Sequence, residues 1–328
     1  MTLHDDGTQS WTSAVLDPGS ADHPNAVVPI LRSGLLAQQF CESVVRANVE
    51  AVFERCFYVR SGDKFICVGE PDIGNGPITL IGDLGRLSNL GLQQGRSAAV
   101  CDQRIMIGDS ICLALDQTES WRSPRWPICP SPIRLIDTCL ALARRAAIEA
   151  PEESLARHVC GMPGTLRPLA PLARIACPRI AIFERWLSGV LDTGHAGVTA
   201  IEEAVQGLVG LGPGLTPSGD DFLMGALALL DAIDERHAHG ALARAMSDPL
   251  LKLATPLSAC FLRAAAAGHV GEALHGAVSS VLMGDVESAA AAARKIGHSS
   301  GWDMMVGIIV TLAARLKRPA ETHHLAFW

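Results

Sequence analysis

Leu211-Gly212-Pro213-Gly214-Leu215-Thr216-Pro217-Ser218-Gly219-Asp220-Asp221-Phe222 packs three glycines and two prolines into eight of its residues. That density excludes a regular helix or strand over the glycine-proline part, and glycine lets a backbone approach a ligand closely. Ser218 and Asp221 have the spacing of a capping box with Asp in place of Glu, so a helix is expected to begin near Asp220. Free N–H groups at such a start, with the Thr216 and Ser218 hydroxyls, suit a phosphate or carboxylate. Asp220 and Asp221 oppose this, because two carboxylates repel a bound anion; Mg²⁺ between them would relieve the conflict.

The pattern recurs 82 residues later, where Ser300-Gly301-Trp302-Asp303-Met304-Met305-Val306-Gly307 matches Ser218 to Gly225 as Ser-Gly-x-Asp, three apolar residues, Gly. Two hydrophobic helices are expected, their N-termini facing each other across one pocket. His298, just upstream, is then a candidate general acid/base beside Asp220 and Asp221. The candidate substrate-binding residues are Gly212, Gly214, Thr216, Ser218, Gly219, Ser300, Gly301 and Asp303, and Asp220 and Asp221 are the pair to hold any metal. Ser-Gly-x-Asp is also an ordinary way to begin a helix. A plain cap, however, has no use for the glycines and prolines upstream of Ser218.

Weaker candidates surround this segment. Thr255-Pro256-Leu257-Ser258 reads as another helix start, and Glu272 is placed to point into the same site. Arg96, Arg174 and Arg179 are able to pair with an anion, although isolated arginines usually make structural ion pairs. His158, His195, His323 and His324 carry little weight, and the run Ala289–Ala293 expresses helix propensity alone.

The elements that must position the loop are legible by period and punctuation. Phe57–Arg60 and Phe65–Gly69 flank the turn Ser61-Gly62-Asp63 as a hairpin, and Pro77–Ile81, Ser97–Val100, Ile105–Gly108 and Ile111–Leu115 are further strands. Within them, Phe40, Val44, Val45 and Val49 predict a helix over Leu35–Glu54. After Pro124, Pro127, Pro130 and Pro132 the composition turns to alanine and leucine at helical spacing, including segments at 152–159, 179–192 and 302–317. The fold class is α+β: a polar tail (1–25), a β-rich small barrel or sandwich (26–120), a proline-rich linker (121–132), a larger α-helical domain (133–318) and a second tail (319–328).

Composition bounds the function. The 48% hydrophobic share is enough for a substantial core, and the net charge is −7 with only 19% charged residues. Disorder over most of the chain is excluded, and no basic stretch is present to displace counterions from a nucleic acid. No segment reads as a signal peptide or a membrane span. The ten cysteines form no C-x-x-C pair, so reduced thiols and a cytoplasmic location are expected. High apolar content with low charge also allows a homo-oligomer or partner chains.

At the Gly-Pro-Gly-Leu-Thr-Pro-Ser-Gly-Asp-Asp loop the sequence resembles the AllH family, whose namesake is a subunit of the oxamate carbamoyltransferase of anaerobic allantoin degradation. The resemblance is most specific over 207–225 and extends through Thr255–Ser258, Gly297–Gly307 and the region of Val52–Phe57. It implies carbamoyl transfer between an oxalurate-like donor and phosphate, giving oxamate and carbamoyl phosphate, in an enzyme with further subunits. No residue roles come with it. Two other readings stand beside it: a metabolite-binding subunit without catalysis of its own, and a Mg²⁺-dependent hydrolase of a ribosyl or phosphate ester. The hydrolase needs several more carboxylates than Asp303 and Glu272 near the loop.

Overall fold

Alternating burial along short β-branched runs builds the N-terminal half. The computed structural model describes residues 26–85, 87–128, 132–159, 170–193 and 198–317. The first part runs β1 (Ala26–Gly34), α1 (Leu35–Ser43), β2 (Arg46–Val52), β3 (Cys56–Ser61), β4 (Lys64–Gly69), β5 (Thr79–Gly82), β6 (Ser97–Cys101), β7 (Arg104–Ile107), β8 (Ile111–Ala114) and β9 (Glu119–Trp121). The helical part follows as α2 (Pro132–Glu149), α3 (Ala156–Val159), α4 (Pro171–Thr193), α5 (Val198–Gln206), α6 (Ser218–Ala232) and α7 (Arg236–Ala245). It ends with α8 (Asp248–Leu251), α9 (Pro256–Ala266), α10 (Glu272–Met283), α11 (Val286–Ala293) and α12 (Ser300–Leu316).

The strands lie in the order β5-β4-β3-β2-β6-β7-β8-β1, and antiparallel pairing of β1 with β5 closes them into an eight-stranded barrel. A bulge between Ile30 and Arg32 lets β1 serve three neighbours: β8 and β9 run parallel to it and β5 antiparallel. The interior is filled by Ile30, Val49, Phe57, Val59, Ile66, Leu80, Ile105 and Leu113, with Ala37 and Phe40 of α1 in the same core. Side chains of the described residues fill the interior, as expected of a small barrel.

The helix expected over Leu35–Glu54 stops at Ser43, and β2 takes the remainder. Val44, Val45, Val49 and Val52 are β-branched, and Ala47 and Val49 turn inward while Arg46 and Asn48 face out. The helix expected from residue 152 begins only at Ala156, because Ser154 closes a turn on the Pro151 carbonyl. The tails at 1–25 and 319–328, residues 129–131 of the linker, and His195, His323 and His324 lie outside the described residues.

α6 and α12 form the axis of the helical part. Every residue of α6 from Ser218 to Leu230 is buried, as is every residue of α12 from Gly301 to Ala314. Helices apolar on all sides must be surrounded by protein. They cross in direct backbone contact: a Cβ at Gly225 would stand 2.0 Å from the Met304 carbonyl oxygen, and one at Gly307 would stand 2.0 Å from that of Phe222. The two contacts are reciprocal, as though related by a two-fold axis, which gives the repeated terminal glycine of the motif its physical reason.

Leu257 of α9 joins Phe65, Cys67 and Ile78 of the barrel in a small shared core. Glu272 does not point toward the glycine-rich loop. Its Oε2 accepts from the Asn75 amide (2.8 Å) and from Asn75 Nδ2 (2.6 Å), while its own N–H donates to the Asn75 carbonyl (2.8 Å). It ties barrel to helices. Among the described residues no helix is long and apolar enough to cross a membrane, and eight cysteines are free thiols.

Candidate functional site

Three carboxyl groups lie buried beneath the glycine-rich loop, each with a relative exposure of 0%: Asp220 and Asp221 of α6 and Asp303 of α12. Burial of this kind is unusual for a carboxylate and demands compensation. Asp220 has it, since its Oδ1 accepts from the Gly210 amide (2.8 Å) and its Oδ2 from the Ser258 hydroxyl (2.7 Å). Burial still raises its pKa, and those two donors pull it part of the way back.

Asp303 is compensated on one side. Its Oδ1 accepts from the Ser154 hydroxyl and the Leu155 amide, both at 2.7 Å, while Oδ2 has no hydrogen-bond partner among the described residues. Burial pushes its pKa up to about 6, against the pull of Ser154, of Ser218 alongside and of the Leu155 amide.

Asp221 is the extreme case, with neither carboxyl oxygen partnered among the described residues. Burial holds its pKa well above the usual carboxylate range, and Asp303 and Asp220 add repulsion. The hydroxyls of Ser300 and Thr216 are near enough to offset part of this, yet they are hydrogen-bonded to each other at 3.0 Å instead of to the carboxyl group. Burial thus biases Asp221 toward the neutral acid, and the hydroxyl pair beside it is only partly buried.

The loop above is held open by its glycines and by α9. Gly212 and Gly214 take φ of +121° and +92°, a region that disfavours side chains. Thr255 donates its hydroxyl to the Leu215 carbonyl and caps α9 by accepting from the Ser258 amide (3.1 Å). The Thr-Pro-x-Ser start of α9 thus fixes the loop through Thr255 and Asp220 through Ser258. The amides of Gly212, Gly214, Leu215 and Thr216 make no hydrogen bond to another described residue, and Pro213 to Leu215 are exposed. The result is a solvent-facing loop of donors beside a carboxyl group that burial biases toward the neutral acid.

Other expected residues take different places. Ser218 makes no cap hydrogen bond, so the capping box does not form; α6 starts at Ser218 behind Pro217, and the Ser218 side chain lies beside Asp303. The amides of Gly219 and Gly301 are already engaged by the Leu211 and Ile296 carbonyls, both at 2.9 Å. Their missing Cβ atoms admit the Leu208 and Ala293 carbonyl oxygens, each 2.0 Å from where a Cβ would be. These two glycines pack; they do not present donors.

His298 stands at the surface, its Nε2 2.9 Å from Glu153, one residue before the Ser154 that holds Asp303. The two helix starts do meet, through Thr216 and Ser300, but the helices pack directly with no cavity between them at the Gly225–Gly307 crossing. For Mg²⁺, Asp220 has both oxygens engaged, and among the described residues no three His, Cys, Asp or Glu side chains stand together as a metal site. Arg96 bonds Ser110 (2.8 Å) and the Gly91 carbonyl (3.2 Å), Arg179 lies against Gly207, and His158 contacts the Glu152 carbonyl (3.3 Å). Arg174 is also engaged within the fold. Ser154 was not singled out from the sequence: Pro151-Glu152-Glu153-Ser154 reads as an ordinary helix start, and nothing local links it to Asp303, 149 residues away.

A family model described as the AllH family N-terminal domain matches residues 29–120, which covers nearly all of the barrel. A second, described as oxamate carbamoyltransferase subunit AllH, matches residues 208–312, from the residue packed on Gly219 to the last turns of α12. No curated protein and no solved structure matches. Both the barrel and the paired Ser-Gly-x-Asp helices are therefore accounted for by one family, and the chain belongs to the AllH family.

Proposed function

We propose that this chain is a subunit of an oxamate carbamoyltransferase and that residues 212–216 bind the phosphoryl or carbamoyl-phosphate end of its substrates. The observation that carries the reading is the set of loop amides, from Gly212 to Thr216, with no hydrogen-bond partner among the described residues, in a loop whose Thr216 hydroxyl neighbours the buried Asp221. Burial biases Asp221 toward its neutral form, which weakens the repulsion that a cation would otherwise have to offset. The amides of Gly212, Gly214 and Leu215 then meet an anion at little electrostatic cost.

The chemistry follows from the same parts. A phosphate oxygen attacks the ureido carbonyl carbon of oxalurate, and the developing oxyanion is met by loop amides. The carbon–nitrogen bond breaks, the carbamoyl group leaves on phosphate, and the nitrogen departs as the amide of oxamate, taking the proton that phosphate gave up. The hydrogen-bonded Thr216 and Ser300 hydroxyls supply a route for that proton. The family description names a subunit, so turnover is expected to require partner chains.

Thermal-shift titration with phosphate and carbamoyl phosphate, with and without Mg²⁺, tests the site. At 100 times its dissociation constant a ligand stabilises the fold by about 2.7 kcal/mol. Carbamoyl phosphate should stabilise the wild type, and Gly214→Val should abolish the response, because a side chain meets open space there but strains the loop at φ +92°. Equal stabilisation of Gly214→Val would remove the loop from the reading.

A further inference from the structure

A cavity of about 290 Å³ opens where the barrel, the chain leaving it and the helical part meet. Its walls are Leu35 and Pro77 from the barrel side, Trp121, Arg122 and Trp126 from the connecting chain, and Asp231 and His269 from the helices. The connecting chain is pinned rather than loosely laid down. Trp126 Nε1 donates to Asp231 Oδ2 at 2.7 Å, and the Trp126 ring stacks on His275 with centroids 4.2 Å apart and planes at 12°. His275 Nε2 contacts the Pro124 carbonyl (3.0 Å), and the Ser123 hydroxyl donates to the Val270 carbonyl (3.0 Å). The cavity is thus built from residues far apart in sequence and held in place by polar contacts that its own lining residues make.

Three polar groups that line it are left over. The Arg122 guanidinium, the His269 ring and Asp231 Oδ1 have no hydrogen bond or ion pair with another described residue. One is the permanently charged planar cation of an exposed arginine, one an imidazole and one a carboxylate acceptor whose other oxygen is already spent on Trp126. Two indoles supply flat apolar walls. Few ligands answer all of these at once. A carboxylate pairs with Arg122 in bidentate fashion, an N–H on the same small molecule donates to Asp231, and a planar skeleton lies against the tryptophans.

We infer that this interdomain cleft binds a small planar carboxylate that also carries an amide or ureido N–H, at a site separate from the glycine-rich loop. The lining residues define the cleft, and the choice of an amide-bearing carboxylate as its occupant rests on the proposed function. Because its walls come from both halves of the molecule, an occupant adds contacts between barrel and helices.

Isothermal titration of the full chain, followed in parallel by tryptophan fluorescence, tests this with oxamate, with oxalate (no N–H) and with oxamide (no carboxylate). Oxamate should bind and quench, and the other two should bind at least tenfold more weakly. Arg122→Gln should weaken oxamate at least tenfold. Asp231→Asn should do the same while keeping an acceptor for Trp126, and both variants should retain the thermal response to carbamoyl phosphate. Gly214→Val should leave oxamate binding unchanged. Absence of oxamate binding, equal binding of oxalate, survival of binding in Arg122→Gln, or its loss in Gly214→Val alone would each overturn the cleft site. Only failure of the carbamoyl phosphate response bears on the loop.

Discussion

Asp303 shows how a carboxyl group is kept in a helical core and what that costs. Its Oδ1 is satisfied by Ser154 and Leu155, yet burial raises its pKa from 3.8 to about 6. The folded protein therefore holds this proton more tightly than the unfolded chain does. Its contribution to stability is full below about pH 4 and is lost as pH rises through about 6. The difference is on the order of 3 kcal/mol, taking about 1.4 kcal/mol for each pH unit between the two values. Asp303→Asn keeps an oxygen for Ser154 and Leu155 and removes the ionisation. It should be more stable than the wild type at pH 8 and lose that advantage by pH 4.5, as read from urea midpoints at the two pH values. A constant difference across that range would mean that Asp303 keeps an ordinary pKa. Asp221, displaced in the same direction and with neither oxygen hydrogen-bonded among the described residues, should show the same sign in Asp221→Asn.

Helix α6 and helix α12 put a different constraint on sequence, one of backbone proximity. Alanine in a helix interior is ordinarily better than glycine by roughly 0.5–1 kcal/mol. At Gly225 and Gly307 the added methyl would lie 2.0 Å from a carbonyl oxygen of the partner helix, so the helices must part. Gly225→Ala and Gly307→Ala should each destabilise by about 2–3 kcal/mol, the usual scale of overpacking. The double variant should lose less than the sum, because one displacement accommodates both methyls. Urea unfolding of the three proteins decides it, and a neutral or stabilising Gly307→Ala would refute the crossing. This pair was legible in the sequence, because Ser-Gly-x-Asp with a later glycine occurs twice and the start of each helix is marked. What the motif did not reveal is what its residues touch. Gly219 and Gly301 read as ligand-binding and are packing residues, and the capping-box spacing of Ser218 and Asp221 comes to nothing because Asp221 is turned into the core. Carboxylates look like surface groups in a sequence. Their burial depends on Ser154 and Ser258, donors from segments whose approach is decided only by tertiary packing.

The whole molecule consists of two cores joined by a narrow seam. The barrel core and the helical core share no residue, and Leu257 with Phe65, Cys67 and Ile78 forms the small cluster between them. Barrel closure was out of reach of sequence reading for the same long-range reason, since β1 must find β5, some fifty residues away, across a bulge at Ile30. Polar contacts add to this small cluster. Glu272 receives two hydrogen bonds from Asn75 and returns one from its backbone, and it stands in the first turn of α10, where the helix dipole favours a negative charge. Glu272→Ala deletes two charge-assisted bonds and strands the Asn75 donors, at a cost of about 2–4 kcal/mol. The two cores melt together only while coupling between them exceeds the difference in their separate stabilities. Calorimetry should therefore show one transition for the wild type and two for Glu272→Ala, with Glu272→Gln in between. A single transition at a lower temperature would instead assign the coupling to the Leu257 cluster, and Leu257→Ala would then be the variant that divides the melt.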